Sequence, residues 1–278
     1  MQGRGKLLLA GVLTVLVPLS GCSTEQSMFD QKVIQVGTKN NQPGTSVQTL
    51  NHTWEGFDVQ VANQATKALG STTHFSDVSS DQRERVLQEH AADLVVATYS
   101  ITQARTDLVD FAGPYAVTYQ GFMIRAESTL NGLEDLRGKV VCSWGGTTSM
   151  DELNGQSKNL GLIPVEKADV EECRKELMEN RVFAVSTDQL LLYGLAQVHP
   201  GVKVVPEVTI GSKNYYGVGI RKDRREDCGR IRDFLKHYVV SSDWVRDLQT
   251  AMPGIARPED FRPDPMDIGR FSCVDKIK

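Results

Sequence analysis

Apolar runs of strand length alternate with segments of helical spacing along most of this chain. That alternation restricts the fold to an α/β layer on a largely parallel sheet. The first run, Val33-Ile34-Gln35-Val36-Gly37, reads as a buried strand closed by glycine. A polar loop over 38–53 follows and contains Pro43-Gly44. Residues 57–69 carry apolar side chains at helical spacing and stop at Gly70, a natural helix terminator. A short strand over 73–75, a helix over 82–89 and the strand Asp93-Leu94-Val95-Val96-Ala97 continue the pattern.

Strand-like stretches at 119–125 and 215–221 mark places where the chain changes lobes. Between them lies a self-contained α/β pattern, with strands at 138–142, 183–185 and 202–205. Helices are expected from Thr147 to Asn154, over 174–179 and over 190–196. Beyond the second crossing, 230–238 and 243–251 read as amphipathic helices, and the Pro-rich tail over 253–265 reads as extended. This predicts one lobe from 32–115 and 217–278, a second lobe over 120–211 inserted into it, and a hinge near 116–119 and 212–216. Ligands of open α/β sheets sit beyond the carboxyl ends of strands, so two such lobes enclose a cleft that closes by hinge bending.

Arg4 and Lys6 precede an apolar run over 7–19 and then Ser20-Gly21-Cys22. A basic start, an apolar stretch of that length and small residues before a cut site read as a secretory signal peptide over 1–21. The run falls short of the roughly 20 apolar residues needed to span a bilayer. Leu19-Ser20-Gly21-Cys22 resembles the lipobox of bacterial lipoproteins. That implies a diacyl group on Cys22, a tether over 22–31 and a chain held at the extracytoplasmic face of the membrane. With Arg4 and Lys6 set aside, the excess of acidic over basic residues rises from four to six. A mildly acidic surface argues against nucleic acid, which needs clustered Lys and Arg.

Apart from Cys22, four cysteines remain: Cys142, Cys173, Cys228 and Cys273. An even number in an oxidising compartment implies disulfides, and four cysteines allow three pairings. Cys142 with Cys173 and Cys228 with Cys273 are favoured, because each bridge then stays within one lobe. No CxxC occurs and the five histidines are scattered, so neither a metal nor another cofactor is expected.

Chemistry concentrates at the strand ends. Ala97-Thr98-Tyr99-Ser100-Ile101-Thr102-Gln103-Ala104-Arg105 sets three hydroxyl residues at alternating positions, with an arginine three residues beyond the last. Such a strand-to-helix turn accepts an anion, and arginine adds a fork that matches a carboxylate. Trp144-Gly145-Gly146-Thr147-Thr148-Ser149 again follows a strand and opens a helix. It lacks the Lys-Ser/Thr of a phosphate-binding loop and the GxGxxG of a dinucleotide site. Asp188, at another strand end, either holds an ammonium group or caps the helix that follows. No nucleophile–base order and no clear acid–base pair of carboxylates is present.

Together the segments VGTKNNQPG, WEGFDVQVANQATKALG, ADLVVATYSITQARTDLVDFAGPY, LRGKVVCSWGGTTS, RVFAVSTDQLLLYGLA and YYGVGIRKD resemble the amino-acid-binding family of bacterial solute-binding proteins. The likeness spans nearly the whole chain after Cys22 and is nearest to glutamate-binding lipoproteins of actinobacterial ABC importers. It implies the type II periplasmic-binding fold. By the same resemblance Arg105, with Ser100 and Thr102, holds the ligand α-carboxylate, and Thr98 faces the ligand. Asp188 neutralises the α-ammonium, and Thr147 and Thr148 close over it. Ser80 and Arg83, the latter ten residues before Asp93, present a cation to a side-chain carboxylate, with Lys39 as a second cation. Ser80 stands where many relatives carry a stacking aromatic, which favours a short polar ligand, and Trp144 narrows the cleft.

The expected function is therefore capture of glutamate, with aspartate, asparagine or glutamine left open, and delivery to an importer permease by a monomeric protein. The alternatives are an amino-acid sensor on the same fold, or an enzyme resembling cyclohexadienyl dehydratases. The enzyme would need a general acid, for which His52 and Glu55 are the candidates.

Overall fold

The computed structural model describes residues 27–277, so the signal segment and Cys22 lie outside the described residues. In chain order the elements begin with β1 (Val33–Thr38), β2 (Asn41–Gln42), β3 (Ser46–Gln48), β4 (Trp54–Glu55), α1 (Phe57–Ala68) and β5 (Thr72–Asp77). Next come α2 (Arg83–Gln88), β6 (Leu94–Val95), α3 (Gln103–Thr106) and the long β7 (Asp110–Arg125). The middle of the chain supplies β8 (Val140–Trp144), α4 (Thr148–Leu160), β9 (Ile163–Lys167), α5 (Val170–Met178), β10 (Ala184–Asp188) and α6 (Gln189–Val198). The 19-residue β11 (Val202–Ile220), α7 (Arg225–Tyr238), α8 (Ser242–Ala251) and α9 (Pro265–Phe271) complete it.

Eight strands form one sheet in the order β5-β1-β6-β11-β7-β10-β8-β9. The flanks are parallel, β5-β1-β6 on one side and β10-β8-β9 on the other. The centre is not, which corrects the expectation of a largely parallel sheet. β11 runs antiparallel to β6 and β7, and β7 antiparallel to β10. These two long strands link the halves, and their middles lie side by side, with Ala116, Val117 and Thr118 opposite Tyr216, Tyr215 and Asn214.

Each half has its own core. Ile34, Val36, Phe57, Leu94 and Trp244 pack in the first, around an edge-to-face contact of Phe57 with Trp244. Phe122, Ile124, Val141 and Leu153 pack on one face of the second half, and Met123, Val185, Leu191 and Leu195 on the other. Consecutive residues of β7 feed opposite faces, as strand geometry requires. Both disulfides form as the favoured pairing has them. Cys142 on β8 joins Cys173 on α5 with Cα atoms 5.6 Å apart, and Cys228 on α7 joins Cys273 after α9 at 6.0 Å.

Four local readings need correction. Residues 27–31, assigned to the tether, belong to the fold. Met28 and Phe29 are buried in the first core, and the Met28 N–H donates to Asp227 at 3.0 Å. The loop over 38–53 contains β2 and β3, which form a three-stranded sheet with β4 just beyond it. The strands read separately at 202–205 and 215–221 are one strand whose register shifts at bulges, between Val205 and Ile210 and again before Asn214. The tail over 253–265, read as extended, contains a 3-10 turn at Pro258–Phe261 and ends where Pro265 opens α9, with the Asp264 carboxylate accepting the Met266 N–H at 2.9 Å.

Candidate functional site

The site begins at Thr98, just past β6, where the backbone turns through φ 45°. Asp58 in the first turn of α1 holds that conformation. Its carboxylate accepts the Thr98 N–H at 2.7 Å and the Tyr115 hydroxyl at 2.7 Å. Burial pushes the Asp58 carboxyl up to about 7 against the hydrogen bonds that favour its ionised form. The Thr98 hydroxyl donates to the Gln42 amide oxygen at 3.1 Å, which ties β2 to the same turn.

Two arginines converge from the first half. Arg83, at the start of α2, is 2% exposed. Its Nε donates to the Ser80 carbonyl at 3.0 Å, and Nη1 donates to the carbonyls of Ala97 and Thr98 at 3.1 and 3.3 Å. Arg105, on α3, donates from Nη1 to the Ser100 carbonyl at 2.9 Å and sits 3.3 Å from the Glu84 carboxylate. Both also reach across the cleft to one atom. The Gly146 carbonyl accepts from Arg83 Nη2 at 2.8 Å and from Arg105 Nη2 at 3.0 Å. The two guanidinium carbons lie 4.5 and 5.1 Å from the centre of the Tyr99 ring, which is a favourable platform for both. Burial, and then the charge of Arg105, lower Arg83 to about 10.

The second half supplies the facing wall. Trp144 ends β8 and lines the cavity, as its place in the sequence suggests. Thr147 caps α4, accepting the Met150 N–H at 3.1 Å. The Thr148 hydroxyl meets that of Ser100 at 3.3 Å, a contact between the halves. Asp188, at the end of β10, accepts the Tyr216 hydroxyl at 2.7 Å and the Asn214 amide at 2.6 Å. Burial raises its pKa, and the two hydrogen bonds and the nearby arginines act the other way.

Between these walls lies a cavity of about 20 Å³, room for a water rather than an amino acid. A larger ligand therefore enters only when the walls part. Ser80, Arg83, Thr98, Ser100, Thr147, Thr148 and Asp188 line it. Three other expected residues stand back from the lining. Lys39 is buried behind Ser80 and donates to its hydroxyl at 2.9 Å. Arg105 closes the rim through Gly146. The Thr102 hydroxyl accepts the Arg105 N–H at 3.3 Å and so fixes the helix that carries the arginine.

Sequence reasoning missed Gln42, Asp58, Ser149, Thr187, Leu191, Asn214 and Tyr216. Asp58 left a signal, since it falls among Phe57, Val59, Val61 and Ala62 on the buried side of α1. His52 and Glu55, the acids an enzyme would need, are exposed and outside the cavity lining. Among the described residues no group of His, Cys, Asp and Glu could hold a metal ion, and no helix is long and apolar enough to cross a membrane.

A buried cavity with charges of both signs, closed between two α/β halves on a pair of linking strands, defines a binding protein for a small charged molecule. The sequence pattern of bacterial extracellular solute-binding proteins, family 3, matches residues 34–249, and this chain belongs to that family. Glutamate-binding protein GluB of Corynebacterium glutamicum is 29% identical over 256 residues, covering 87% of this chain and 86% of its own length. The ABC transporter glutamine-binding protein GlnH of Bacillus subtilis is 27% identical over 186 residues, or 66% of this chain and 67% of its own. A solved structure of an ancestral arginine-binding protein bound to arginine matches with a TM-score of 0.72 at 28% identity, covering 80% of this chain and 98% of that one. The fold is thus the type II periplasmic-binding fold, and the chain is a binding protein, not an enzyme.

Proposed function

We propose that this protein captures an acidic amino acid, glutamate before aspartate, in the cleft and delivers it to the permease of an ABC importer. The observation that carries this reading is Arg83. It is buried, it faces the cavity, and among the described residues it forms no ion pair. Lys39 is buried beside it, also without one. Buried cations without acidic partners are costly, and an anionic ligand offsets that cost. Arg105 and Ser100 then receive the α-carboxylate, Asp188 the ammonium, and Arg83 with Ser80 and Lys39 the side-chain carboxylate, while Thr98 faces the ligand. Thr147 and Thr148 close over the ligand, and Thr102 acts through Arg105.

Relatives named for glutamate, glutamine and arginine set the choices. A cationic side chain would meet Arg83 and Lys39 with like charge, and an amide would leave them uncompensated. Leu19-Ser20-Gly21-Cys22 supports a lipid anchor on Cys22 that keeps a monomeric binder beside its permease. Cys22→Ala releases the protein from membranes if that holds; retention with an unmodified cysteine speaks against it. Calorimetry against the twenty amino acids tests the specificity. Glutamate binds most tightly and arginine not at all; tighter binding of glutamine or arginine overturns the reading.

A further inference from the structure

Lys39 is a buried titratable group one hydrogen bond away from the cavity. The lysine is 5% exposed, its ammonium donates to Ser80 Oγ at 2.9 Å, and Ser80 lines the cavity. The same residue's carbonyl holds Arg83 Nε at 3.0 Å, so Ser80 links both cations to one patch of wall. The charged groups facing Lys39 are Arg83 from α2, Asp77 at the end of β5, Asp81 after Ser80, and Asp169 from the other half. The acids are engaged elsewhere. Asp77 accepts the Asn40 N–H at 3.1 Å, and Asp169 caps α5 and accepts the Asn41 amide at 3.2 Å. Asp81 accepts the Ser79 hydroxyl. Among the described residues none pairs with Lys39.

We propose that Lys39 is a specificity-determining residue that acts through Ser80, taking up a proton when a ligand's side-chain carboxylate seats against Ser80 and Arg83, and thereby favouring acids over their amides. The inference rests on the acidic-ligand reading above and adds a proton to it. Burial, and then the charge of Arg83, lower Lys39 to about 7, so a share of the free protein carries it neutral at physiological pH. An entering carboxylate stabilises the ammonium and raises that value. The complex then binds more protons than the free protein above about pH 7, and affinity declines as pH rises from there. Below about pH 6 the ammonium is already formed and binding takes up no proton through it. A neutral amide leaves Lys39 unchanged, so the preference for acid over amide is widest at about pH 6 and narrows as pH rises through about 7.

The test is calorimetry of glutamate and glutamine binding at about pH 6, 7.5 and 8.5 in two buffers of different ionisation enthalpy. Glutamate should take up on the order of half to one proton at the two higher values, with affinity falling up to about tenfold per pH unit. Glutamine should take up none. Lys39→Met should abolish the uptake and narrow the glutamate-to-glutamine ratio, and Lys39→Arg should keep the ratio without uptake. Tight glutamate binding by the wild type without uptake overturns the proposal, whatever the variants do. Undiminished uptake in Lys39→Met overturns it too. Failure of glutamate to bind at all overturns the acidic-ligand reading instead.

Discussion

Arg83 and Arg105 share the Gly146 carbonyl and stack on Tyr99, yet their surroundings differ: Arg105 has the Glu84 carboxylate, and Arg83, among the described residues, donates only to carbonyls. That asymmetry predicts two kinds of loss. Arg105→Ala should weaken every accepted amino acid, since all carry an α-carboxylate. Arg83→Leu should weaken glutamate by about 2–5 kcal/mol and glutamine much less. Equal losses for acid and amide in Arg83→Leu would return Arg83 to a structural role. Asp58 offers a stability test. Its carboxyl is raised from 3.8 to about 7 on folding, so its contribution is full below the lower value and is lost as pH rises through the higher one. The melting-temperature gap between wild type and Asp58→Asn should therefore shrink from about pH 5 to about pH 8. A gap that widens with pH contradicts the assignment.

At the scale of elements, the two halves approach closely enough that side chains are excluded. The turn between β8 and α4 places Gly146 at φ 69°, where a Cβ would lie 2.6 Å from the Asp81 nitrogen. On α6, a Cβ on Gly194 would lie 2.0 Å from the Pro43 carbonyl oxygen, against the turn between β2 and β3. Both contacts join opposite halves and neither belongs to a core. Gly146→Ala is expected to leave the ligand-free melting temperature within a few degrees of wild type and to weaken glutamate about 10–100-fold, since forced overpacking costs about 1–3 kcal/mol. Unchanged affinity would mean that this approach is not used when ligand binds.

For the whole molecule, we propose that bending occurs where Ala116, Val117 and Thr118 of β7 lie beside Asn214, Tyr215 and Tyr216 of β11. The small cavity requires the walls to part before an amino acid enters. Neither disulfide spans the cleft, since one joins β8 to α5 and the other joins α7 to the segment after α9, so neither opposes the motion. Small-angle scattering should show a smaller radius of gyration with saturating glutamate than without it. Identical curves from a protein shown to bind glutamate would argue against hinge closure.

Local pattern was enough to place most strands and helices, to favour the disulfide pairing and to single out Ser100, Thr148 and Asp188 at strand ends, where α/β folds put ligands. The family likeness, also read from sequence, added Ser80 and Arg83. Periodicity reports which side of an element is buried, not what it is buried against. That is why β7 and β11 were legible only in pieces: their pairing joins residues about 100 apart, and its bulges depend on the partner strand. Gln42, Asp58 and Tyr216 come from three distant segments, and the hydrogen bonds that make them part of the site exist only once those segments meet. The sequence by itself decided the alternation of elements and the types of side chain available at their ends. Tertiary structure alone decided that two arginines would meet one carbonyl, and that Lys39 would be buried with no counter-ion among the described residues, because desolvation and charge pairing are properties of the assembled neighbourhood.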